Sequence, residues 1–166
     1  MKVKTISHVA FMVKDMDAAL RFYRDGLGFR PVCDITYDYV LDSLREGISH
    51  STGAERAGLE AVEQGFRGKE GKPWFVYLRM TETQLLELFY ADESYDGRCG
   101  PQGSYRHLSL EVEDIEAAKQ DLLSHGVSLK TDIYMGPDHT KTLWIVDPDG
   151  NEIELMEYTP DSLQLK

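Results

Sequence analysis

Cysteine is almost absent from this chain of 166 residues: Cys33 and Cys99 are the only two, far apart and in no metal-like spacing. Two reduced cysteines in a cytoplasmic protein are the expectation. Basic charge is scarce too. Lys and Arg number 18 against 29 Asp and Glu, a net charge of −11, and the basic residues form no cluster. That argues against a nucleic-acid surface, and an anionic membrane would repel the chain. No apolar run is long enough to span a bilayer. The opening MKVKTISHVAFMV lacks the apolar stretch and cleavage site of a signal peptide and reads as a first strand. The remainder is ordinary for a globular protein, 42% hydrophobic and 28% charged. The length suits one domain, or two small modules sharing a core.

The informative feature is an internal repeat. HVAFMVKDMDAALRFY (8–23) lies without gaps on HLSLEVEDIEAAKQDL (107–122). His8 meets His107, Val13 meets Val112, Asp15 meets Asp114, and Ala18-Ala19 meets Ala117-Ala118. LGF (27–29) and HGV (125–127) then place a glycine before an apolar residue in each copy. The pattern predicts a strand over 6–13 and over 105–112, an acidic N-cap at Asp15 and Asp114, and a helix over 16–25 and 115–125 closed by glycine. Further strands are expected at 29–37, 74–80 and 84–90 in the first copy, and at 127–133, 140–146 and 151–158 in the second. DPDGN (147–151) supplies the last hairpin turn. The fold class is therefore α+β, with βαβββ written twice: module one over 1–95 and module two over 104–160 of a single domain spanning 1–166. An insertion over 38–73 interrupts module one. Val40, Leu41, Leu44 and Ile48, then Leu59, Val62 and Phe66, follow helical spacing. One or two short helices are expected there, either packed outside or forming a lid or pocket wall.

Polar residues at matching places in the two copies are the candidates for chemistry. His8 and His107 stand in the two first strands. QLLELFY (84–90) and NEIELMEY (151–158) close the two copies, and Glu87 aligns with Glu154. Along the last strand Ile153 and Leu155 point to one side, and Glu152, Glu154, Met156 and Tyr158 to the other. Singly, a histidine or glutamate on a strand is usually half-exposed or solvated. The coincidence of repeat register and strand face outweighs that reading. Two imidazoles and two carboxylates are a normal ligand set for one divalent ion such as Zn, Ni, Co, Mn or Fe. His50, His125 and His139 lack such support, though His139 lies in a loop that could approach a site and stays a candidate.

HVAFMVKDMDAALRFYRDGLGF, QLLELFY, RHLSLEVEDIEAA and TKTLWIVDPDGNEIELMEY together resemble the vicinal oxygen chelate superfamily. That superfamily includes glyoxalase I, bleomycin-resistance proteins and extradiol dioxygenases. The resemblance implies paired βαβββ modules whose sheets curve into a metal-holding cleft, and a small substrate that chelates the metal through vicinal oxygens. Its dioxygenases and fosfomycin-resistance enzymes use two His and one Glu, here His8, His107 and Glu154. Glyoxalase I (lactoylglutathione lyase) adds a glutamate at the position of Glu87, so the isomerase and lyase branch is implied, working through a metal-stabilised enediolate. Glu154 is then the first choice of base and Glu87 the second. The chain departs from glyoxalase I at Met12, where that enzyme has an arginine for glutathione, and at Ala91, where it has an asparagine. Both changes remove polar anchors for a peptide-like thiol. The implied pocket walls, Met12, Phe89, Met156 and Tyr158, are apolar with one hydroxyl. The resemblance also implies a homodimer. Rival readings are an Fe(II) dioxygenase or thiol transferase on the same site, and a non-catalytic drug- or metabolite-binding protein.

Overall fold

The computed structural model describes residues 1–2, 4–91 and 105–166. Cys99 and the expected join of the two modules lie outside these residues. The chain divides into two units: Met1–Met12 with Pro31–Tyr90, and Val13–Arg30 with Ala91–Lys166.

The first unit is built on a four-stranded sheet of β1 (His8–Val13), β2 (Arg30–Thr36), β3 (Pro73–Arg79) and β4 (Leu85–Tyr90), in the order β1-β4-β3-β2. β3 and β4 form an antiparallel hairpin that sets Tyr77 opposite Glu87 and Val76 opposite Leu88. Alternation decides which side is core: Val76, Leu78, Leu86 and Leu88 are buried on one face, and Phe75, Tyr77, Glu87 and Phe89 share the other. The insertion is two helices of 14 residues each, α2 (Tyr37–His50) and α3 (Gly53–Phe66). Leu41 is their fully buried anchor, and Val62 of the expected apolar stripe is exposed. Arg45 of α2 and Arg67 clamp Glu63 of α3 at 3.3 and 3.0 Å. Tyr37 and Phe66 close on Trp74 of β3 at ring separations of 5.6 and 5.0 Å, tying the insertion to the sheet.

The second unit repeats the plan. β5 (Leu108–Glu111), β6 (Tyr134–Met135), β7 (Lys141–Val146) and β8 (Glu152–Glu157) are ordered β5-β8-β7-β6, the same path as in the first sheet. β5 runs parallel to β8, and β7 pairs antiparallel with it, setting Trp144 opposite Glu154 and Thr142 opposite Met156. α4 (Ile115–Ser124) begins at Asp114, whose carboxylate accepts from the Ala117 amide at 2.9 Å. α1 (Met16–Leu20) begins in the same way at Asp15, accepting from Ala18 at 2.9 Å. Both expected caps are present.

α1 belongs to this second unit and runs on into a wider, π-type turn, Arg21–Gly26. The sequence gives a reason. One more residue lies between His8 and Gly28 than between His107 and Gly126, and a π turn absorbs an extra residue without breaking the helix. Gly28 and Gly126 then take the same left-handed conformation, φ 74° and 77°. The Tyr23 hydroxyl, fully buried, donates to Asp147 at 2.7 Å. Asp147 also accepts from the amides of Asp149 and Asn151 and from the Asn151 side chain, so it fixes the DPDGN turn from within.

One expected strand is absent. Of residues 127–133 only Leu129 bridges, to Ile145, and a two-residue strand forms later, at Tyr134–Met135. The Trp144 amide donates to the Thr131 hydroxyl at 3.1 Å, while the amides of Lys130 and Thr131 both donate to the Trp144 carbonyl. A side chain therefore replaces a backbone acceptor and the ladder stops. No helix among the described residues is long and apolar enough to cross a membrane.

Candidate functional site

Each unit carries one histidine–glutamate pair. In the first, His8 Nε2 lies 3.6 Å from Glu87 Oε2. In the second, His107 Nε2 lies 3.5 Å from Glu154 Oε2. The four residues thus stand as two alike pairs, one in each unit. His107 stands one residue before β5 begins, where a full strand position was expected.

The pairs share their electrostatic design. The imidazoles are open to solvent, with side-chain exposures of 44% and 38%, while the carboxylates are withdrawn, at 9% and 13%. A carboxylate so placed needs a partner. Among the described residues neither glutamate pairs with Lys or Arg; each faces a histidine. The separations exceed the 2.7–3.2 Å range of a good N–H···O hydrogen bond. They are close to the spacing, roughly 3.0 to 3.4 Å, of two donors bound about 2.1 Å from one ion. Donor chemistry and spacing therefore fit a borderline divalent metal. Each pair supplies two donors, and among the described residues no three His, Cys, Asp or Glu side chains gather as a metal-holding group.

Neighbours hold the pairs in place. An aromatic ring from the adjacent strand meets each imidazole edge-on: Tyr77 against His8 at 6.1 Å and Trp144 against His107 at 4.9 Å. The Tyr77 hydroxyl approaches Glu87, and burial first, then this carboxylate, push its pKa up to about 12. It remains a protonated donor at neutral pH. Thr142, buried in β7, donates to Glu154 Oε1 at 2.9 Å. Ser7 approaches His8 Nδ1 at 2.9 Å.

The expected wall residues lie on or next to the strands that carry these pairs. Met12 is 39% exposed, on the same face of β1 as His8. Phe89 is half-buried on the Glu87 face and packs on Phe75 and Trp74 at 5.0 and 5.7 Å. Met156 follows Glu154 on the same face of β8, and Tyr158 lies one residue past the strand; both are half-buried. His50 ends α2, exposed, and His125 lies 3.4 Å from Asp121 at the end of α4. His139 takes φ 62°, and its carbonyl accepts from Thr159 and Ser162, a structural task.

Tyr77, Thr142 and Trp144 were not legible as site residues in the sequence. Their signal was the cross-strand register: each hairpin places an aromatic opposite its glutamate.

The model of the Glyoxalase/Bleomycin resistance protein/Dioxygenase superfamily matches residues 5–155. YwbC of Bacillus subtilis (strain 168) is 25% identical over 156 residues, 93% of this chain and 98% of that protein. The lactoylglutathione lyase of Schizosaccharomyces pombe (strain 972 / ATCC 24843) is 26% identical over 94% of this chain, which spans only 48% of that longer enzyme. A superfamily member from Sphaerobacter thermophilus DSM 20745 superposes with TM-score 0.60 at 24% identity, covering 94% of this chain and 98% of its own. Those matches take in both repeats, with His8, Glu87, His107 and Glu154 inside the matched span, and the chain belongs to the Glyoxalase/Bleomycin resistance protein/Dioxygenase superfamily.

Proposed function

We propose that this protein is a divalent-metal-dependent isomerase or lyase for a small substrate with vicinal oxygens. The observation that carries the reading is the recurrence of one histidine and one withdrawn glutamate at the same place in both repeats, 3.6 and 3.5 Å apart. His8, Glu87, His107 and Glu154 would hold the ion. When bound, it would polarise the substrate oxygens and favour loss of a proton from the neighbouring carbon. Glu154 accepts that proton and returns it to the adjacent carbon. Glu87 is the second choice for that work. Met12, Phe89, Met156 and Tyr158 line the substrate and keep water from the reacting carbon. A homodimer and a cytoplasmic setting complete the proposal.

A second reading, a drug- or metabolite-binding protein without catalysis, has one observation in its favour: among the described residues no three ligand-type side chains gather. Elemental analysis of the purified protein beside His107→Ala separates the two. The catalytic reading expects stoichiometric divalent metal in the first and little in the second. Its identity then divides Ni, Zn or Co isomerase chemistry from Fe oxygen chemistry. No metal in either, even after reconstitution, would leave the binding protein.

A further inference from the structure

Thr142 is only 2% exposed, yet it brings a hydroxyl into the second sheet. That hydroxyl donates to Glu154 Oε1 at 2.9 Å, and the other oxygen, Oε2, is the one that faces His107 Nε2 at 3.5 Å. The two carboxylate oxygens are therefore unlike. We infer that Thr142 is a positioning residue for Glu154, fixing Oε1 so that Oε2 alone serves the metal beside His107. This inference rests on the metal reading above.

The first repeat lacks the device. Thr142 stands opposite Met156, two residues past Glu154; the corresponding residue opposite Phe89, two past Glu87, is Phe75, which has no hydroxyl. Glu87 instead has Tyr77 directly across the hairpin. A buried threonine in a strand is also ordinary β packing with its hydroxyl satisfied. That ordinary role predicts lost stability and unchanged metal affinity. Positioning predicts the reverse weighting, because removing a group that orients a ligand typically weakens metal binding about 10- to 100-fold.

The test titrates cobalt(II) into the unaltered protein and into Thr142→Val, Thr142→Ser and Thr142→Ala, reading affinity and the visible absorption bands. Thermal unfolding without metal runs alongside. Threonine against valine, and serine against alanine, each isolate the hydroxyl on a matched packing background, so one poorly folded variant does not remove the contrast. The expected result is at least about 10-fold weaker binding with altered bands for Val and Ala, and near-normal binding for Ser. Equal affinity and unchanged bands in all four proteins would overturn the positioning role while the metal reading stands. Serine weakened as much as alanine would overturn it in favour of packing. No cobalt bound by the unaltered protein would remove the metal reading and Thr142's role with it.

Discussion

The two histidine–glutamate pairs have nearly the same geometry, 3.6 and 3.5 Å, and different surroundings. In the first, one residue does two jobs: the Tyr77 ring lies against His8 and its hydroxyl approaches Glu87. In the second the jobs are divided: Trp144 takes the ring contact with His107 and Thr142 the hydrogen bond to Glu154. Duplication conserves the backbone register that creates a pair, while the side chain across the hairpin is free to change. That freedom lets two equivalent carboxylates acquire unequal roles. Under the proposed function Glu154 both binds the metal and moves the proton, while Glu87 serves chiefly as a ligand.

The largest expected effect breaks this near-symmetry. Glu154→Gln keeps the shape and the Thr142 contact but removes the base. Saturated with metal, it should slow carbon–hydrogen exchange by roughly 10²–10⁴-fold, the usual worth of a positioned acid–base group. Glu87→Gln should instead show its main effect as weaker metal binding. Deuterium exchange at the carbon acid of a small α-hydroxy carbonyl compound, beside metal content, reads both. Equal loss of exchange from the two variants, with metal retained in both, would sink the division of labour.

How much of this was legible in the sequence differs between backbone and site. The repeated strands and caps are local features. Alternation places Leu86 and Leu88 against Glu87, and Asp15 and Asp114 cap helices whichever fold surrounds them. The four candidate ligands were readable only because the chain states them twice. The supporting residues were not. Thr142 and Trp144 matter through their register on β8, and one strand does not display its partner's register. The missing strand at 127–133 fails for a similar reason: the Thr131 hydroxyl, a tertiary partner, takes the Trp144 amide.

A second contrast lies in how the repeats anchor their helices. Tyr23 of the first repeat donates from full burial to Asp147, whereas the matching residue of the second repeat is the apolar Leu122. Tyr23→Phe should destabilise the fold by about 1–3 kcal/mol, the range for stranding a buried acceptor, moderated here because Asp147 keeps its turn amides. The pH dependence has a definite sign. Burial, then the Asp147 charge, raise the folded pKa of Tyr23 above its ordinary value near 10. The stabilisation is thus fully present below about pH 10. It is lost as pH rises, because the unfolded chain releases a proton that the folded one keeps. Melting temperatures across pH 8 to 11 should fall more steeply for the unaltered protein than for Tyr23→Phe.

The smallest expected effect tests the likeness of the repeats at their helix ends. Gly28 and Gly126 share φ values of 74° and 77°, and a Cβ added at either meets nothing within 4 Å. Crowding therefore contributes nothing, and only the left-handed backbone penalises a side chain. Gly28→Ala and Gly126→Ala should each cost about 1–2 kcal/mol, nearly equally. The π turn just before Gly28 is a backbone difference between the two ends. If that turn stores strain, the two substitutions will differ, because relaxing Gly28 would let the extra residue redistribute along α1. Equal losses in denaturant midpoints would mean that the first helix absorbs its additional residue without strain, and that the two repeats close on the same physical device.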